Sequence, residues 1–176
     1  MHIILGILGS LITILVLVNR LKEGGIDLGW LNPFSWAHRR RWRKKYHADP
    51  AMSISSPMEA AAGLMYVAAK LSGEVTQEER SFLVDTFENK FNLSNKEATD
   101  LLSSCSYIIK DEDIIFNKLS KYLEASIEKF SAEQIQSTMQ LVQSTIELNP
   151  SPAEKQIQFL DKLKKLFSNS ETKSWN

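Results

Sequence analysis

The chain has 176 residues, enough for one domain and a short appendage, and 43% hydrophobic against 24% charged residues excludes general disorder. Its 21 Lys/Arg and 21 Asp/Glu cancel overall but not locally: residues 1–47 hold eight cations against two carboxylates, and residues 48–176 hold thirteen against nineteen. A basic arm on an acidic body implies two separate jobs. Cys105 is the only cysteine, which excludes a disulfide framework and a thiolate metal cluster and fits a reducing compartment.

Ile3 to Val18 is a run of sixteen uncharged residues, twelve of them Ile, Leu or Val. As a helix rising ~1.5 Å per residue it falls short of the ~30 Å hydrocarbon core, and extension from Met1 to Leu21, with Arg20 and Lys22 snorkelling, makes up most of the deficit. Residues 1–22 are therefore expected to form a single transmembrane anchor. A cleaved signal peptide and an ordinary buried helix are the competing readings. The signal peptide wants positive charge ahead of the run and a small-residue site behind it, whereas Met1-His2 and Asn19-Arg20-Leu21-Lys22 stand there. Cations on the carboxy-terminal side orient the amino terminus outside and the body in the cytoplasm. Gly6/Ser10 and Gly9/Thr13 place small residues four apart on one stripe, a candidate surface for homo-oligomerisation.

Residues 23–55 are expected to be a basic, aromatic juxtamembrane linker, ending in a flexible joint at Ala48 to Ser55. Trp30, Phe34 and Trp36 precede Arg39, Arg40, Arg41, Trp42, Arg43, Lys44 and Lys45. Aromatic rings favour the headgroup layer, and each Lys/Arg near an anionic leaflet adds ~1 kcal/mol. Trp30, Trp36, Arg39 to Arg41, Trp42, Arg43, Lys44 and Lys45 are thus the candidate membrane-interface residues, with an anionic bilayer as partner. The same composition suits nucleic acid, but the nearby apolar run favours lipid, and no nucleic-acid partner is expected.

From Ser56 onward a helix-start signal recurs: Ser or Thr with Glu or Gln three residues later, a capping box that satisfies two orphan backbone donors. It occurs at Ser56/Glu59, Thr76/Glu79, Ser94/Glu97, Ser131/Gln134 and Ser151/Glu154, with Pro57 and Pro152 at first helical positions. Helical periodicity then predicts six apolar stripes. They are Ala61, Leu64, Met65, Ala68 and Leu71; Phe82, Leu83, Phe87 and Phe91; Ala98, Leu101, Leu102 and Cys105; Ile114, Ile115, Leu119, Tyr122, Leu123 and Ile127; Ile135, Met139, Val142 and Ile146; and Ile157, Leu160, Leu163 and Phe167. Six amphipathic helices with short connections predict an all-α antiparallel bundle over residues 56–168, followed by a polar tail at 169–176.

The turn Ala69-Lys70-Leu71-Ser72-Gly73-Glu74-Val75-Thr76-Gln77-Glu78-Glu79-Arg80 resembles the helix–turn–helix signature of the TerB-like (tellurite-resistance) family, whose text is Ala-Asp-Gly-x-Val-Ser-x-x-Glu. Thr76 to Phe82 is faintly repeated at Ser151 to Ile157, and the family is similarly built of two related helical halves. The order of an apolar run, a basic aromatic stretch and a capped helical body is also similar to the amino-terminal part of membrane-anchored DnaJ-like co-chaperones. Their J domain, with its His-Pro-Asp triplet, has no counterpart here. The resemblance implies a TerB-like bundle, a bacterial inner-membrane setting, and a role in envelope stress or a tellurite- or metal-associated response.

In that family, acidic residues of the two turns are associated with divalent-cation binding. Ser72 stands at the first aspartate position, and the second half offers Leu148-Asn149-Pro150. The resemblance therefore leaves Glu79 and Glu154 as candidate ligands, each also explained as the third residue of a capping box, the preferred role. No other cofactor is expected. His2, His38 and His47 all lie outside the body, so neither a nucleophile–histidine pair nor a His-rich metal arrangement can form within it. Asp111-Glu112-Asp113 suits the positive end of a helix. The expectation is a membrane-tethered, non-enzymatic adaptor with an unidentified protein partner; the alternative is a divalent-cation sensor.

Overall fold

Capping chemistry acts over three residues, and in the computed structural model, which describes residues 50–173 with side chains to residue 169, most of it sits where the sequence puts it. A 3-10 turn, Pro50–Ser53, leads into α1 (Pro57–Lys70), α2 (Gln77–Phe91), α3 (Asn95–Ile108), α4 (Glu112–Asn117), α5 (Leu119–Leu123), a second 3-10 turn (Ile127–Lys129), α6 (Ala132–Glu147) and α7 (Glu154–Lys173). Among the described residues there is no strand, and the fold is all-α. Thr76/Glu79, Ser94/Glu97 and Ser131/Gln134 close as reciprocal boxes at the starts of α2, α3 and α6. Ser56 accepts the Glu59 N–H ahead of Pro57 at the start of α1. Gly73 (φ +132°) makes the turn after α1, and Asn92 (φ 54°) ends α2 in the left-handed conformation that short polar side chains tolerate.

α1 is buried on every side rather than along one stripe: each residue from Ala60 to Ala69 is inaccessible. A helix apolar all round must be enclosed, and α2, α3, α4 and α6 all pack on it. Its small residues set how close they come. Gly63 leaves the space that the Tyr122 hydroxyl occupies, where a Cβ would collide with it. That hydroxyl donates to the Ala60 carbonyl at 3.1 Å. The second and third stripes pack as expected, with Leu83, Phe87, Ala98, Leu101, Leu102 and Cys105 buried and Phe82 and Phe91 half-buried. In α6, Val142 and Ile146 are buried and Ile135 and Met139 half-buried.

Three local expectations yield to tertiary packing. The fourth predicted helix is broken: Lys118 (φ −121°, ψ 37°) leaves helical space, its N–H shared between the carbonyls of Ile114 and Ile115 at 3.0 and 3.2 Å. The restart turns Leu119, Tyr122 and Leu123 into the core and leaves Ile114 exposed.

The last helix starts at Glu154, so Pro152 lies ahead of it, and the backbone N–H of Ser151 goes to Asn149 Oδ1. Gln156 does the capping instead. Its Oε1 accepts the Ala153 N–H at 2.9 Å, while its Nε2 donates to the Ala68 carbonyl of α1 at 2.8 Å. The buried face becomes Gln156, Phe159, Leu163 and Phe167, with Leu160 half-buried and Ile157 facing solvent.

The packed body also begins upstream of Ser56. Ala51 and Ile54 are 3% and 2% exposed within the main core, α5 packs on the Pro50–Ser53 turn, and Lys129 Nζ donates to the Ser55 carbonyl at 3.1 Å. The part of the expected joint from Pro50 to Ser55 is thus docked.

Candidate functional site

The turn after α1 leads into Glu79, one of the two candidate ligands. Ser72 donates its hydroxyl to the Ala69 carbonyl at 2.8 Å, satisfying one of the acceptors a helix end leaves open. Glu79 Oε2 accepts from both the backbone N–H and the hydroxyl of Thr76, at 2.8 and 3.0 Å, and Glu79 is buried. Its carboxylate is engaged as a cap. Glu154 has a different place from the one expected: exposed at the first position of α7, it accepts from Gln158 Nε2 at 2.9 Å and takes no part in a capping box. Among the described residues, no three His, Cys, Asp or Glu side chains converge as metal ligands.

The acidic trio starts α4, where the helix dipole favours it. Each member has a partner. Asp111 accepts the Asp113 N–H at 2.9 Å, Glu112 pairs with Lys70 at 3.0 Å, and both oxygens of Asp113 meet Lys155 Nζ, at 2.9 and 3.1 Å. Lys70 also donates to the Lys110 carbonyl at 2.8 Å. Partial burial works to lower its pKa, but the Glu112 hydrogen bond and charge, with the charges of Tyr66 and Glu74, outweigh it and hold the pKa above the ordinary value. These carboxylates tie α4 to the end of α1 and the start of α7. Sequence spacing carries no sign of this, because the partners are distant along the chain.

Cys105 lies in the core, where burial pushes its thiol up to about 12. Burial likewise holds the Tyr122 phenol well above its ordinary value. A thiol so protonated is a packing group rather than a nucleophile. The exposed Glu97 is shifted the other way, its carboxylate favoured first by the Ser94 hydroxyl and then by the Ser94 backbone N–H.

What the body does display is a separation of charge. Residues 56–108, which form α1 to α3, hold eight carboxylates against four cations. Residues 116–130 and 160–169 hold six lysines against Glu124, Glu128 and Asp161. The two basic stretches are neighbours. α7 packs on α5 and on the second 3-10 turn, Phe130 and Phe167 meet with ring centroids 5.5 Å apart, and Lys162 Nζ lies 3.6 Å above the Phe116 ring while donating to the Phe116 carbonyl at 3.3 Å.

The expected anchor, its Gly6/Ser10 and Gly9/Thr13 stripe, and the interface residues Trp30, Trp36, Arg39 to Arg41, Trp42, Arg43, Lys44 and Lys45 lie outside the described residues. Among the described helices none is long and apolar enough to cross a membrane. Comparison of the chain with protein-family models, with curated proteins and with solved structures finds no match.

Proposed function

We propose that this protein is a membrane-tethered adaptor whose helical body works in the cytoplasm by binding another protein. The observation that carries the reading is the order of chemistry along the chain. Sixteen uncharged residues from Ile3 to Val18 are followed by six cations interleaved with aromatics between His38 and Tyr46, and then by an acidic helical body. The first suits a hydrocarbon core, the second an anionic headgroup layer, and the third stays in water. The resemblance of the Ser72 to Glu79 turn to the TerB-like family supports a place in envelope stress or a tellurite- or metal-associated response at a bacterial inner membrane. The capping duty of Glu79 favours a scaffold over an ion sensor.

Protease treatment of spheroplasts tests the topology. The body is expected to survive while the membrane is intact and to be degraded after lysis. Digestion of the body from outside intact spheroplasts would refute the cytoplasmic assignment.

A further inference from the structure

We propose that the body lies against the anionic leaflet through the end bearing Lys118, Lys121, Lys129, Lys162, Lys164 and Lys165, holding the acidic α2–α3 region toward the cytoplasm. The proposal rests on the membrane-tether reading and adds an orientation to it.

Attachment geometry comes first. The chain does not join the body through a slack segment from Pro50 onward, because Ala51 and Ile54 are buried and Ser55 is held by Lys129. Only Tyr46, His47, Ala48 and Asp49 separate Lys45 from Pro50. A fully extended chain covers ~3.3–3.6 Å per residue, so these residues span at most about 18 Å. If Arg39 to Lys45 sit among headgroups, the end of the body built on the Pro50–Ser53 turn must sit beside them. That end is α5, which packs on the turn, together with the second 3-10 turn and α7, which pack on each other.

Charge provides the second, independent observation. The end that attachment brings to the surface is the one where lysines outnumber carboxylates, six against Glu124, Glu128 and Asp161. All six lysines are solvent-exposed. Lys129 and Lys162 donate to the backbone carbonyls of Ser55 and Phe116. An anionic leaflet attracts such groups within a Debye length of about 10 Å and repels the acidic α2–α3 region, so the two effects turn the body the same way.

The test uses the full chain carrying Cys105→Ala, with a fluorophore placed at either Ser120→Cys on α5 or Asn89→Cys on α2. Each protein is reconstituted into vesicles bearing a headgroup-attached quencher, either all phosphatidylcholine or containing phosphatidylglycerol. In anionic vesicles the label at position 120 is expected to be quenched at least about threefold more than that at 89, and the difference to collapse in neutral vesicles or at about 0.5 M salt. The triple variant Lys118→Gln, Lys121→Gln, Lys164→Gln, checked for retained helicity by circular dichroism, should lose the difference too. Equal quenching at both positions, or a difference that persists in neutral vesicles, overturns the orientation while leaving the tether intact. A chain washed from both vesicle types by alkaline carbonate overturns the tether and the orientation together.

Discussion

The Tyr122 hydroxyl hydrogen-bonds the Ala60 carbonyl, 62 residues earlier in the chain, across the one position of α1 that has no side chain, Gly63. Tyr122 is fully buried, so this contact joins α5 to the first turns of the central helix where water cannot compete.

Gly63→Ala should therefore destabilise the body, although alanine is the better helix former. Overpacking of ~1–3 kcal/mol opposes the ~1 kcal/mol of helix propensity gained, for a net loss of up to roughly 2 kcal/mol. Tyr122→Phe alone should lose about 1 kcal/mol. Because the hydroxyl is the group that collides, Gly63→Ala should cost less in the Tyr122→Phe background than in the native chain. Urea denaturation of the four proteins gives the coupling directly.

Gln156 bridges Ala153 and Ala68 with no exposed surface. Replacing it with Leu leaves a buried carbonyl and a helix-start N–H without this partner, an expected loss of about 2–3 kcal/mol. Gln156→Glu should be worse at neutral pH, since a carboxylate cannot donate to Ala68. Part of that loss should return at about pH 5, because burial raises the carboxyl's pKa above the ordinary carboxylate value and favours its protonated form. Denaturation of Gln156→Glu at the two pH values checks the sign.

Removal of the Thr76 cap by Thr76→Ala should lower stability by ~1 kcal/mol, while Glu154→Ala should stay within about 0.5 kcal/mol of the native value. Neither change should depend on added Ca²⁺ or Mg²⁺. Thermal melts with about 1 mM of each ion test the capping role, because an ion bound only by the folded state raises the melting temperature. An ion-dependent rise abolished by Glu79→Gln would restore the sensor reading.

Alkaline pH should destabilise the body through its core. The folded-state pKa values of Cys105 and Tyr122 are raised by burial, so the unfolded chain releases these protons first. Their contribution is complete below the ordinary values of 9.0 and 10.0 and is lost as pH rises, for Cys105 toward about 12. Each titrating group takes away ~1.4 kcal/mol per pH unit across its window. Stability measured against pH should show a shallower alkaline slope in Cys105→Ala. At neutral pH, Cys105 should react with a thiol reagent only at the rate the body opens.

A soluble body beginning at Ser56 should be less stable than one beginning at Asp49. It lacks Ile54, whose burial alone is worth about 2 kcal/mol, and the Lys129 contact to Ser55. Calorimetry on the two fragments compares them.

Local chemistry was legible in the sequence, and long-range chemistry was not. Ser94 and Glu97 announce a helix start because both halves of the box lie within one turn. Ser151 and Glu154 have the same spacing, yet Gln156 wins because its second bond reaches Ala68, 88 residues away. The break at Lys118 is equally invisible in a stripe of apolar residues, since it serves the approach of Tyr122 to Gly63. In α1, an Ala-rich sequence with apolar residues on every face offers no polar side from which periodicity could be read, so only part of its burial was foreseen. The candidate ligands divided for the same reason: the cap on Glu79 is written locally, while the place of Glu154 depends on how α7 meets α1.

The docking of Ile54 and Ala51 also has a mechanical side. A pull applied upstream of Pro50 meets no slack before it reaches packed side chains, and the first contacts to feel it are those between the Pro50–Ser53 turn and α5. α5 carries Tyr122, whose hydroxyl holds the middle of the body. Tension on the arm is thereby delivered through α5 to the central helix.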